Sequence, residues 1–327
     1  MTGFLATAGE VVAVTAPPAA ARLVEQAAGE RLAATAPAAP TVLLDLQADN
    51  RPFDRAGLRP LTRGAYAGGG RVLLLDACSS GFDLLVTAGE PAGTLAVLAR
   101  YRPATRTRAA NLALAGRFRL LAGQTLLHYP VLWRSGWRGR VPLHAATVAF
   151  GGGVLLLAGP GGVGKSTLMR RAVAAGAVAG ADNLCSAGET ECFGLAEPLR
   201  VDGSGRPGRT SHGRRAAPFG HRAARLAPDR VVVLERGPRT EVARIGAPEA
   251  ARSLGAGTYA AGELRRYWQL AALLALATGA GPAHPPVAGT AAAITAALPC
   301  RQVRLPRGAR LAEPDPPDQP DQLEEAR

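Results

Sequence analysis

The stretch Leu155–Arg171 reads LLLAGPGGVGKSTLMRR. Val154 to Ala158 is an apolar run that predicts a buried strand. Gly159-Pro160-Gly161-Gly162-Val163-Gly164-Lys165-Ser166 follows and fits the pattern G-x-x-x-x-G-K-[ST]. Ser166 to Ala175 then predicts a helix that begins at this loop. Glycines let such a loop wrap with its N–H groups pointing inward, and the helix N-terminus adds positive potential, so the unit suits a phosphate chain. Gly159, Gly161, Gly162, Val163, Gly164 and Thr167 are the expected cradle. In this pattern Lys165 reaches the terminal phosphates and Ser166 ligates Mg²⁺, with ATP as the expected cofactor.

Composition sharpens the reading of Lys165. It is the sole lysine of 327 residues, every other basic side chain being arginine. Arginine is a wide planar fork, whereas lysine is a compact charge on a slim stem. A single surviving lysine inside a motif that demands lysine marks a place where a guanidinium will not serve.

The flanking sequence narrows the class. Val141 to Phe150, VPLHAATVAF, predicts a strand carrying His144, separated from the next strand by a glycine turn at 151–153. Downstream, AVAGADN ends a short small-residue strand at Asp182, 17 positions after Lys165. Two consecutive strands in hairpin-like spacing before such a loop are unusual for ordinary GTPases, and many P-loop proteins place their second acidic site farther along the chain. The run LHAATVAFGGGVLLLAGPGGVGKSTL, Leu143 to Leu168, with GADN, Gly180 to Asn183, resembles the HPr kinase/phosphorylase family, most nearly its shorter bacterial members such as lasso-peptide precursor kinases. DRVVVLERG at Asp229 and ELRRYWQLAALLALA at Glu263 also look similar to a late strand and a C-terminal helix of that family.

The resemblance covers about half the chain and implies an α/β, PEP-carboxykinase-like P-loop kinase domain with a mixed sheet. It implies transfer of the γ-phosphate of ATP to a hydroxyl, such as a peptide or protein serine within natural-product biosynthesis. Family members are often hexameric, so a homo-oligomer is one implied arrangement. Two positions depart from the pattern. Asp182-Asn183 stands where the family has two aspartates, and 200–215 replaces the Glu-Ile-Arg-Gly signature, so HPr itself is not the expected substrate.

The chemistry can also be stated from the residues. Phosphoryl transfer needs charge neutralised on the phosphate oxygens and a group that takes or orients the acceptor proton. Lys165 supplies charge, and Asp182 is the carboxylate expected as base or Mg²⁺ ligand. Asn183 has two open readings, a bond to a metal-bound water or a turn-stabilising role. His144 is a candidate contact to phosphate or to that carboxylate, against the plainer reading of a structural histidine on an apolar strand. Glu189 and Glu191 are further candidate metal contacts. From Arg200 to Arg230 run eight arginines and two histidines among Gly, Pro and Ser, which predicts a mobile loop. Arg209, Arg214 and Arg215 are its expected substrate-binding residues, because arginine grips phosphate or carboxylate with two hydrogen bonds.

The domain plan follows. Residues 1–139 are expected as a small α+β domain for substrate or partner, 140–306 as the P-loop domain, and 307–327 as a disordered acidic, Pro-rich tail. Strands are expected near Val11, Thr41, Arg71, Asp83 and Thr94, and helices at Ala21 to Ala33 and Asn111 to Pro130. The +13 net charge invites a nucleic-acid reading, but the few aromatics are not interleaved with the basic residues as a stacking surface requires. Four scattered cysteines without C-x-x-C spacing, and an N-terminus without a signal-peptide pattern, lead to an expected cytoplasmic protein. No apolar run is long enough to span a bilayer, so no membrane is expected. A small-molecule hydroxyl kinase and a catalytically weak, nucleotide-binding regulatory protein remain the alternatives.

Overall fold

The computed structural model describes residues 2–89, 93–201, 215–217, 219 and 222–306. It is a mixed α/β protein with a large N-terminal sheet and a second sheet around the glycine-rich loop.

The first sheet is built from β1 (Thr2–Thr7), β2 (Glu10–Thr15), β3 (Val42–Gln47), β4 (Arg59–Thr62), β5 (Ala65–Gly68), β6 (Arg71–Leu74), β7 (Phe82–Gly89) and β8 (Thr94–Tyr101). Their order is β1-β2-β3-β8-β7-β6-β5-β4. α1 (Pro18–Ala28) links the parallel neighbours β2 and β3. Alternate residues along the strands, such as Val42, Leu44 and Leu46, are buried in one core. That period of two is what a sheet covered on one face requires. The helix expected to Ala33 ends at Ala28, because Gly29 takes φ 73° and closes it with a bond from its N–H to Glu25 O. β1 was not expected, since TGFLAT lacks a strong β signal; its pairing with β2 makes it a strand.

A helical arm crosses this core: α2 (Thr105–Ala113), α3 (Ala115–Gly123), a π-helical turn (Gln124–His128) and α4 (Tyr129–Gly136). The helix expected at 111–130 is therefore longer and broken into pieces. Trp133, fully buried in the arm, packs edge-on against Trp137 at 5.1 Å.

The second part runs β9 (Val141–Leu143), β10 (Ala146–Phe150), β11 (Gly153–Ala158), α5 (Lys165–Ala174), β12 (Val178–Ala181), β13 (Cys185–Ala187), β14 (Cys192–Gly194), β15 (Leu199–Val201), β16 (Arg215–Ala217), β17 (Arg230–Arg236), β18 (Glu241–Arg244), α6 (Ala247–Tyr259), α7 (Tyr267–Thr278), α8 (Val287–Ala297) and β19 (Cys300–Leu305). Its main sheet has the order β12-β10-β11-β17-β19-β18. β10 and β11 form the expected antiparallel hairpin, while β17 lies parallel to β11 on its other side. Leu155 and Leu157 pack on the α5 side, and Leu156 and Ala158 on the α6 and α8 side. A strand covered on both faces reads as an unbroken apolar run, as this one does.

Two expectations need correction here. Residues 141–150 are not one strand. They break at His144–Ala145 into β9, paired with β13, and β10, paired with β11 and β12. The backbone N–H of His144 at the break donates to Thr258 Oγ1 at 3.0 Å, so the interruption leaves that donor satisfied. The segment after Arg200 is not wholly loop either, because β15 and β16 pair with Val201 opposite Arg215.

α7 and the turn before it pack mainly on the N-terminal core, while Trp268 also touches the core of the second sheet. Leu264, Tyr267, Leu270, Ala271 and Leu274 join the N-terminal core. Among the described residues no helix is long and apolar enough to cross a membrane.

β12 and β14 pass so closely that a Cβ on Gly194 would collide with the carbonyl oxygen of Gly180. Gly194→Ala must push two backbones apart, at a cost of about 3 kcal/mol. A thermal unfolding midpoint within about 2 °C of wild type would contradict this packing.

Candidate active site

Three positions of the loop are conformations that glycine takes at little cost: Gly159 (φ 139°), Gly162 (φ 80°) and Gly164 (φ 120°). They turn the chain from the end of β11 into the first turn of α5, whose N-terminus carries no side-chain cap. Helix N-terminal amides of this kind suit an anion. Lys165 is 6% exposed and folds back over its own loop, its Nζ donating to Gly159 O at 2.6 Å and Pro160 O at 3.3 Å.

A cavity of about 590 Å³ opens against this loop. One wall is Pro160 to Gly162 with Gly164 to Thr167; His144 and Asn183 form the floor. The opposite wall is one side of α6 and the turn after it, from Ser253 to Glu263. The volume falls in the range of small-molecule sites.

Of the expected cradle, Gly161, Gly162, Gly164, Lys165, Ser166 and Thr167 line this cavity. Gly159 contributes its carbonyl to Lys165 instead. Val163 is 2% exposed and packs in the core with Leu168 and Met169, while its N–H bonds Pro160 O.

His144, from the β9–β10 break, is 4% exposed, and its Nε2 donates to Asn183 Oδ1 at 3.0 Å. Burial, with the Lys165 ammonium adding to it, pushes the imidazole pKa down to about 4, against the opposing pull of the Glu263 carboxylate. The ring is neutral at pH 7 and serves as a hydrogen-bonding group rather than a cation. Asp182 directly follows β12 and is 1% exposed. The bend after it is held by Glu197, whose Oε1 accepts from Leu184 N at 3.0 Å.

The remaining expected residues fall elsewhere. Arg209 and Arg214 lie outside the described residues. The backbone of Arg215 begins β16. Glu189 is exposed in the β13–β14 turn, and nearby Glu191 pairs with Arg225. Cys78, in LDACSSG, is structural rather than an expected site residue: it sits in a turn where Asp76, Cys78 and Ser79 all have positive φ, and burial pushes its thiol up to about 11.

Sequence reasoning missed Glu263, Ser253 and Thr258, and it missed Arg236, whose Nη2 donates to Gly162 O at 3.2 Å. No local motif announces them; they reach the loop from distant elements.

Among the described residues no cluster of three His, Cys, Asp or Glu side chains would cage a metal. A magnesium ion bound with nucleotide phosphates needs only one or two protein oxygens. The Ser166 hydroxyl lines the cavity and is a hard oxygen donor that fits it, and Asp182, a buried carboxylate next in the chain to the lining residue Asn183, is a second donor of that kind. No family model matches the chain, and a search of curated proteins gives no match.

Proposed function

We propose that this protein is an ATP-dependent phosphotransferase that moves the γ-phosphate onto a hydroxyl, in the first instance a serine of a peptide or protein. The observation that carries the reading is the convergence on one cavity of a glycine loop, a helix N-terminus and the sole lysine with a polar floor. The mixed sheet, with β11 between antiparallel β10 and parallel β17, supports a PEP-carboxykinase-like P-loop fold of the HPr-kinase type.

In this reading the loop amides and Lys165 hold the phosphates and neutralise their charge. Lys165 leaves the carbonyls of Gly159 and Pro160 to do so. Ser166 and Asp182 would hold Mg²⁺, which supplies further neutralisation of the phosphate oxygens. Asn183 and neutral His144 form a fixed pair on the cavity floor that orients bound groups without adding charge. Arg209, Arg214 and Arg215 remain the proposed contacts for an acidic acceptor, the cell compartment is proposed to be the cytoplasm, and a homo-oligomer is part of the same reading.

Asn183 favours a second reading. With one carboxylate in place of two, the site would bind ATP for regulation without transferring phosphate. The two separate in one experiment. Purified protein is incubated with γ-labelled ATP, Mg²⁺ and a panel of serine-containing peptides and metabolites, with Lys165→Ala as control. Label on a peptide that disappears in the variant is the expected result. Label on a metabolite alone makes this a small-molecule kinase, and ATP binding without label on any acceptor supports the regulatory reading.

A further inference from the structure

Among the residues that line the cavity, one bears a carboxylate: Glu263. Asp182, the acid legible in the sequence, is 1% exposed and is not part of the lining. Glu263 is half-buried on the wall opposite the glycine loop. His144 and Lys165 line the same cavity, so the three groups share one space.

The backbone that presents Glu263 is fixed from the N-terminal core. It lies in a 3₁₀ turn, Gly262–Leu264. Its carbonyl accepts from Tyr129 Oη at 2.6 Å and from Gln124 Nε2 at 3.4 Å. Both donors come from the helical arm, Gln124 from its π-helical turn and Tyr129 from the residue after it. π-helical turns recur at functional sites. Tyr129 is 1% exposed and its ring meets that of Tyr267 at 5.8 Å. Immediately after Glu263, Leu264 and Tyr267 are wholly buried in the N-terminal core. One short segment thus forms the cavity wall and then anchors in the other half of the molecule.

We propose that Glu263 takes the proton of the phosphate-acceptor hydroxyl, and that Tyr129 and Gln124 are positioning residues that hold its turn against the glycine loop. The proposal rests on the phosphotransferase reading above. In the step, the acceptor oxygen forms its bond to the γ-phosphorus as the bond to the β,γ-bridging oxygen breaks. The bridging oxygen leaves with that electron pair on ADP. The hydroxyl proton passes to the Glu263 carboxylate and from there to water. Among the residues that line the cavity Glu263 alone offers a carboxylate, and the floor pair of His144 and Asn183 is joined through the His144 Nε2 bond to Asn183 Oδ1. The N-terminal part thereby gains a role in the chemistry: it sets where the base stands.

The test compares wild type with Glu263→Gln, Glu263→Asp, Tyr129→Phe and Asp182→Asn. Phosphate transfer from γ-labelled ATP is measured alongside Mg²⁺-ATP affinity by calorimetry. Glu263→Gln is expected to lower kcat by about 100-fold. Its Mg²⁺-ATP affinity should stay within about twofold of wild type. Glu263→Asp should recover part of the rate. Tyr129→Phe removes one hydroxyl and is expected to lower kcat about 10-fold, with the KM for ATP unchanged. Wild-type transfer by Glu263→Gln overturns the assignment. So does a loss of Mg²⁺-ATP affinity in that variant matching Asp182→Asn, which would make Glu263 a metal ligand. A Tyr129→Phe protein with full kcat overturns the positioning part. Wild-type protein that binds ATP and labels no acceptor overturns the phosphotransferase reading itself, and the base with it.

Discussion

Lys165→Arg is expected to abolish phosphoryl transfer although it keeps the charge. Lys165 is 6% exposed, and its ammonium threads between the carbonyls of Gly159 and Pro160 at 2.6 and 3.3 Å. A guanidinium is wider and planar, and it cannot rotate its donors about a single nitrogen as an ammonium does. Placed here it either displaces the loop or points away from the phosphates. Loss of one aimed donor to developing charge costs on the order of 10³-fold in rate, about 4 kcal/mol. The measurement is the transfer rate of the variant, with circular dichroism to show that it folds. Transfer within about tenfold of wild type would mean that the sole lysine has no special place in the chemistry.

Asp182→Asn should have the next largest effect. The side chain is nearly isosteric, so the bend before Leu184 is expected to survive. What is lost is a buried negative charge next in the chain to the cavity-lining Asn183, which in the proposed reading helps to hold the magnesium ion that accompanies ATP. Transfer should fall by about 100-fold. ATP affinity measured without Mg²⁺ should not fall, because a carboxylate near phosphates repels them. The strengthening that Mg²⁺ gives wild type should shrink or vanish. Titrations of ATP with and without Mg²⁺, on wild type and variant, read this directly. An unchanged Mg²⁺ effect in the variant would show that Asp182 holds no metal.

The parts legible in the sequence were those whose causes are local. The strand, loop and helix from Gly153 to Ala174 follow from an apolar run and from glycines at φ values that other residues resist. The β10–β11 hairpin and the position of Asp182 at the end of β12 were legible for the same reason. The break at His144 was not, because its causes are β13 and the Thr258 hydroxyl, 114 residues away. Apolar periodicity in VPLHAATVAF cannot reveal that its two halves belong to different sheets. Glu263 was hidden more deeply. It opens the apolar helical stretch ELRRYWQLAALLALA, and the hydroxyl that bonds its backbone carbonyl belongs to Tyr129, 134 residues earlier. The sequence of α7 likewise states that the helix is apolar and leaves open which core receives it. Charge was the least informative signal: the arginines of 200–230 suggested a substrate loop, and Arg209 and Arg214 lie outside the described residues.

The claim on which the rest stands is that the cavity holds a nucleoside triphosphate by its phosphates. Calorimetric titration with ATP, ADP and AMP in the presence of Mg²⁺, on wild type and Lys165→Ala, tests it most directly. One site per chain is expected, with affinity falling from ATP to AMP and the preference lost in the variant. Equal affinity for ATP and AMP, or no binding of either, would contradict the account.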